Sequence, residues 1–191
     1  MDVDDIRLSA REIDELARRI GRPVVLVGMM GVGKSSVGKR LAATLSCPFL
    51  DADDEIEKSA QMTIPEIFAN FGEDHFRDGE RRVIARLVEE NGGKTVIATG
   101  GGAFVNPETR ALILDKAITV WLDSDVDTLI ERTARKNNRP LLQQGDPREI
   151  LTRLREERRP AYSQAPIHVF SGNGPHGRTV ARVLKGIGEW L

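Results

Sequence analysis

The stretch GMMGVGKSS, residues 28–36, follows the apolar run PVVLV and constrains this chain more than any other segment. Three glycines, a lysine and two serines after a buried-looking strand suit neither a continued strand nor an ordinary helix. Gly28, Gly33, Lys34 and Ser35 satisfy G-x-x-x-x-G-K-[ST], a pattern that arises by chance in on the order of one per cent of chains this long. The flanks sharpen it. A β-branched strand pattern precedes it and a helical one follows, so backbone N–H groups and the positive end of a helix converge on one point. Lys34 then reaches the outer phosphates of a nucleotide and the Ser35 hydroxyl can ligate Mg²⁺. Nucleoside triphosphate binding follows; the identity of the base and the fate of the phosphoryl group do not.

With 191 residues, the chain reads as a single domain, 1–191, with one continuous core. Lys plus Arg (28) nearly balance Asp plus Glu (29), which supplies no overall positive field for nucleic acid. The acidic start lacks a secretory pattern and no apolar run reaches the length of a membrane span, so no membrane partner and a cytoplasmic location are expected. The single cysteine, Cys47, excludes an internal disulfide and suits core packing.

Apolar residues at helical spacing predict an amphipathic helix over 5–20. Strands are expected at 24–28, 48–51, 94–99, 118–122 and 166–170. Helical patterns lie between them at 33–46, 53–60, 64–71, 75–91, 107–115, 125–136 and 147–160, with a last one at 179–191. Strands alternating with helices predict an α/β fold with a parallel sheet covered on both faces. Residues 136–147, KNNRPLLQQGDP, form a long polar stretch of turn formers, the kind of segment that serves as a lid.

The Asp-x-x-Gly and Asn-Lys-x-Asp spacings of a GTP-dependent switch are both missing, which favours ATP. A mechanical ATPase needs coupling domains for which the length leaves little room, whereas a small-molecule kinase needs only an acceptor pocket and a lid. Asp51 and Asp53, at the end of the second strand, sit beside the phosphate loop at the carboxyl edge of the sheet. One can hold Mg²⁺ and the other an acceptor hydroxyl, although Asp53 also suits a helix cap. Gly100, Gly101 and Gly102 follow the third strand and suit close backbone contact with a ligand. Arg77 and Arg158 are candidate forks for a carboxylate. His75, His168 and His176 share no metal-like spacing and are expected to be structural or solvent-facing.

Taken in order, G-x-x-x-x-G-K-[ST], Asp-x-Asp, GE-x-x-FR-x-x-E, GGG, RPLL and R-x-x-x-Y resemble the shikimate kinase family over residues 24 to about 170. The resemblance implies a three-layer P-loop kinase fold with a five-stranded sheet in the order 2-3-1-4-5. It implies phosphorylation of the 3-hydroxyl of shikimate by ATP. Carried over by position, Gly31, Val32, Gly33, Lys34, Ser35, Ser36, Arg132 and Arg139 would bind ATP. Ser35 and, through water, Asp51 would hold Mg²⁺. Asp53, Arg77, Gly100, Gly101, Gly102 and Arg158 would bind shikimate within and beside a segment spanning 53–90. Lys34, Asp53 and Arg139 would be catalytic. An ordinary Asp is a poor base for an alcohol, so Asp53 would chiefly orient the hydroxyl. The helix at 5–20 lies outside the family's minimal domain, and 171–177 matches it only loosely. A monomer is expected. The alternatives are a gluconate-type kinase, which the Arg77, Gly100–102 and Arg158 set disfavours, and a non-catalytic ATP and shikimate sensor.

Overall fold

A computed structural model describes residues 8–135 and 140–191. Among them, five strands, β1 (Val24–Val27), β2 (Phe49–Asp51), β3 (Val96–Ala98), β4 (Ile118–Asp123) and β5 (Ile167–Phe170), form one parallel sheet in the order β2-β3-β1-β4-β5. The central strand β1 is fully buried along its length, so its four residues carry no polar alternation. Burying one such Val or Leu side chain contributes about 1.5–3 kcal/mol.

Among the described residues, eight helices flank the sheet: α1 (Ala10–Arg19), α2 (Lys34–Thr44), α3 (Ala52–Ala60), α4 (Ile64–Glu90), α5 (Pro107–Lys116), α6 (Val126–Ala134), α7 (Pro147–Tyr162) and α8 (His176–Trp190). Short 3₁₀ turns lie at Ala103–Val105 and Pro140–Gln144. The helix starts obey local chemistry. Ser9 with Glu12 and Thr63 with Glu66 form capping boxes, and Asp51, Asn106, Asp125 and Asp146 accept first-turn N–H groups. Only α2, which starts on Gly33, and α8, which starts on Pro175, have no side-chain cap among the described helices.

Four expectations shift in detail. The patterns at 64–71 and 75–91 join into α4, broken at Gly72, where φ is +84°. Asp51, not Asp53, caps α3: strand β2 ends at Asp51 and its Oδ1 accepts the Asp53 N–H at 3.0 Å. The two carboxylates therefore share a side of the sheet through a strand-to-helix turn rather than through strand alternation. Helix α8 begins three residues earlier than its apolar stripe suggests. Of the expected N-terminal helix, residues 5–7 lie outside the described residues; α1 begins at Ala10 and buries Leu16, with Ile20 just past its end. Cys47 is half-buried and packs against the core, where burial pushes its thiol pKa up.

Close packing dictates some glycines. A Cβ on Gly38 of α2 would stand 2.5 Å from the Phe49 ring, so α2 lies against β2 only because that position is bare. No helix among the described residues is long and apolar enough to cross a membrane.

Candidate active site

The phosphate loop runs from β1 into α2 across the carboxyl edge of the sheet. Its opening turn requires glycine. Gly28 has φ +140°, and a Cβ there would stand 2.2 Å from the Leu122 carbonyl oxygen of β4. Gly31 and Gly33 also take positive φ, which wraps the backbone around the space above β1. Lys34 is buried, and its Nζ donates to the carbonyls of Gly28 at 2.7 Å and Met29 at 2.9 Å. The loop thus folds around its own lysine, which lines the cavity above.

That cavity, of about 620 Å³, is lined by Gly31, Gly33, Lys34, Ser35 and Ser36, by Asp51, Asp53 and Thr99–Gly101, and by Arg132, Asn173, Gly174 and His176. The two helices without a side-chain cap, α2 and α8, both begin at its wall. Their first-turn N–H groups and positive ends suit an anion of several charges. Val32 behaves differently from its neighbours. Its side chain is in the core and its N–H donates to Met29 O at 3.3 Å, so it supports the loop rather than lining the cavity. Arg132 of α6 donates to Val32 O at 3.0 Å and Gly172 O at 2.7 Å. Both ends of its guanidinium are engaged, which leaves its planar face for contact with a base.

A second cavity of about 210 Å³ opens from the first. Ser35, Asp51, Asp53, Gly100 and Gly101 line both. At this junction the Ser35 hydroxyl donates to Asp51 Oδ2 at 2.5 Å. Beyond it lie Arg77 and Glu80 of α4, Arg158 of α7, Gly102, and an apolar wall of Ile64, Pro65, Phe68 and Phe76. Arg77 Nη1 pairs with Glu80 Oε2 at 2.8 Å, and Arg77 Nη2 reaches Glu73 at 3.4 Å. Burial works against the Arg77 charge, but Glu80 and Glu73 more than offset it and hold its pKa above the ordinary value.

The three glycines are explained by what crosses them. A Cβ on Gly100 would stand 2.7 Å from Glu80 Oε1 and 3.1 Å from Asp53 Oδ1; on Gly101, 3.2 Å from Arg158 Nη1; on Gly102, 2.6 Å from Arg77 Nη1. The run is bare because four charged side chains pack over it. Tyr162, buried on α7, donates its hydroxyl to Gly101 O and fixes that backbone; burial raises its pKa and keeps the proton in place.

Two buried polar atoms in this cavity have no hydrogen-bond partner among the described residues, Glu80 Oε1 and Arg158 Nη1. Glu80 is 3% exposed and Arg158 7%. Buried polar atoms without partners are costly, so their persistence in one small cavity points to a polar ligand that satisfies them. Glu80 was present in the sequence as the last residue of GE-x-x-FR-x-x-E, three after Arg77 and so on the same helix face, yet nothing in its own neighbourhood in sequence marked it as buried. His176 was likewise missed. It lines the larger cavity with Nδ1 buried and unpartnered, and burial beside Arg132 and Arg40 holds its pKa below the ordinary value. His75 stacks on exposed Phe71, and His168 lies against Trp121 and Asp123. Arg139 and residues 136–138 lie outside the described residues.

The sequence profile described as shikimate kinase matches residues 30–187. A shikimate kinase from Novosphingobium aromaticivorans is 62% identical over 193 residues, covering all of both chains. Among solved structures, a shikimate kinase from Acinetobacter baumannii in complex with shikimate superposes with a TM-score of 0.82 at 34% identity, covering 95% of this chain and 98% of that one. A gluconokinase from Sinorhizobium meliloti, at 18% identity and a TM-score of 0.59 over 91% of this chain and 95% of that one, shares the fold alone. The profile, the full-length relative and the paired cavities agree: this chain is a kinase and belongs to the shikimate kinase family.

Proposed function

We propose that this protein transfers the γ-phosphoryl group of ATP to the 3-hydroxyl of shikimate, with the nucleotide in the larger cavity and shikimate in the smaller. The observation that carries this reading is the shared wall of Ser35, Asp51, Asp53, Gly100 and Gly101. A group bound on one side can meet a group bound on the other only there.

In this reading the α2 N-terminus and the loop from Gly31 cradle the phosphates, and Lys34 turns from its carbonyl partners toward the outer ones. Arg132 lies flat on the adenine. Arg77 and Arg158 grip the shikimate carboxylate, and Arg158 Nη1 gains the partner it lacks. Asp53 accepts a hydrogen bond from the ring hydroxyl and aims its oxygen at phosphorus, while the Gly100–Gly102 backbone meets the remaining hydroxyls. The transition state is loose and rich in negative charge, so alignment plus positive charge supplies most of the acceleration. Arg139 adds a further cation from the segment before α7, and closure of that segment excludes water, the competing acceptor.

Ser35 and Asp51 fit Mg²⁺: both are hard oxygen donors, they lie 2.5 Å apart beside the phosphate cradle, and such sites leave room for phosphate oxygens and water. When bound, the ion would supply positive charge against the negative charge of the phosphates. Ser35 and, through water, Asp51 would hold it, and the Asp53 N–H fixes the Asp51 carboxylate beside Ser35.

The test is ADP release by purified protein with ATP and Mg²⁺, run with shikimate, with gluconate and with no acceptor. Release with shikimate alone is expected; release with gluconate, or silence with shikimate despite ATP binding, overturns the proposal.

A further inference from the structure

We propose that Asp123 and Arg155, which line neither cavity, form an anchor that positions Arg158 for the acceptor carboxylate. The inference rests on the reading of the smaller cavity as the acceptor site.

Residues 155, 158 and 162 recur at helical spacing on one face of α7. One turn before Arg158, Arg155 Nη2 approaches both oxygens of Asp123, at 3.2 and 3.4 Å. One turn after it, Tyr162 donates to Gly101 O. Arg158 is thus bracketed by two polar contacts to the carboxyl edge of the sheet. Its Nη1 has no hydrogen-bond partner among the described residues and its guanidinium lies beside the Tyr162 hydroxyl and the Glu80 carboxylate, so its aim depends on where α7 is held against the sheet.

Asp123 is the last residue of β4 and is 7% exposed. A buried carboxylate needs partners, and three elements supply them: the Ser124 N–H at 2.9 Å, Arg155 from α7, and His168 Nε2 from β5 at 3.3 Å. His168 is held flat on Trp121, with ring centroids 3.9 Å apart and planes 8° apart, and Arg159 lies over that indole 5.9 Å from its centroid. The Asp123 backbone oxygen accepts the Ser171 N–H at 2.7 Å, and its chain neighbour Leu122 packs beneath Gly28 of the phosphate loop. One carboxylate therefore ties the acceptor-side helix α7 to the strand under the nucleotide loop. An ordinary scaffold pair would stabilise the fold without favouring one substrate; this pair lies one helical turn from a substrate-gripping arginine that has no other brace on that side.

The experiment measures KM for shikimate, KM for ATP, kcat and melting temperature in Arg155→Met, Arg155→Lys and Asp123→Asn. For Arg155→Met, the shikimate KM should rise about tenfold, while kcat and the ATP KM stay within about threefold. Arg155→Lys should recover part of the loss. In an Arg158→Lys background, Arg155→Met should add less than about twofold, because the anchor acts through the fork it positions. Should Arg155→Met fail to fold, Asp123→Asn, which keeps the side-chain shape, carries the same expectation for the shikimate KM. An unmoved shikimate KM with a lowered melting temperature, equal rises in both KM values, or independent multiplying losses with Arg158→Lys would each overturn the anchor while leaving the kinase reading intact. A wild type silent with shikimate would instead overturn the acceptor reading and the anchor with it.

Discussion

The two cavities are built from different materials. The nucleotide side is largely backbone: glycines at positive φ, the carbonyls that hold Lys34, and the starts of α2 and α8, which have no side-chain cap. The acceptor side is largely side chain: Arg77 and Glu80 from α4, Arg158 from α7 and Asp53 from α3, packed over three glycines. A phosphate chain is recognised by any ring of N–H donors, so one contiguous loop suffices. A small acid with several hydroxyls needs charges and acceptors at set places, which no single segment of chain can supply.

If the halves are as separable as their materials suggest, substitutions should divide between them. The largest effect is expected for Lys34→Met, with turnover falling about a thousandfold or more and shikimate affinity, read by calorimetric titration, nearly unchanged. An equal loss of shikimate affinity would break the division. Next comes Arg158→Ala, which should raise the shikimate KM about a hundredfold and leave the ATP KM alone. Initial-rate kinetics with each substrate varied would show a mixed effect if α7 also served the nucleotide.

A matched pair of glycine substitutions sharpens the comparison at smaller scale. Gly102→Ala puts a methyl 2.6 Å from Arg77 Nη1 and should raise the shikimate KM about tenfold. Gly31→Ala, strained at φ +81° and 2.8 Å from Thr133 Cγ2, should instead raise the ATP KM about tenfold.

The smallest effect concerns stability. Burial pushes the Glu80 carboxyl above the usual 4.5, although Arg77 and Arg158 pull the other way. A carboxyl whose folded pKa is raised binds its proton more tightly in the folded state. Its contribution is therefore full below 4.5 and lost as pH rises through the raised folded value. Glu80→Gln removes that dependence, so the melting temperature of the wild type relative to the variant should fall by about 2–4 °C between acidic and neutral pH. A flat difference would mean that Arg77 compensates the buried charge fully, which would make the acceptor side a preformed ion-pair lattice rather than one waiting for its ligand.

Legibility in the sequence follows the same division. The phosphate loop could be read directly, since its glycines, Lys34 and Ser35 are contiguous and a loop of that composition has few other uses. The parallel α/β class followed from the alternation of β-branched runs with helical patterns, while the strand order came only through family resemblance, because pairing of strands distant in sequence leaves no local mark. Arg77, Arg158 and the glycine run could be named as candidates, yet each alone reads as a solvated helix face or a tight turn. Glu80 passed as an ordinary helix residue, His176 as a structural or solvent-facing one, and Tyr162 as the end of a motif with no role of its own. The burial of Glu80 and Tyr162, and the unpartnered atoms of Glu80 and His176, exist only after α4, α7 and α8 pack on the sheet.

What the sequence determined by itself was chemistry held within a few residues: the phosphate cradle and the apolar strands. What only the tertiary structure decided was convergence: that Arg77 and Arg158, eighty-one positions apart, cross the same three glycines, that Ser35 meets Asp51 of β2, and that Asp123 joins β4, β5 and α7. The physical reason is range. Backbone geometry and capping are settled by neighbours along the chain, whereas burial and the pairing of charges depend on which distant surfaces the core brings together.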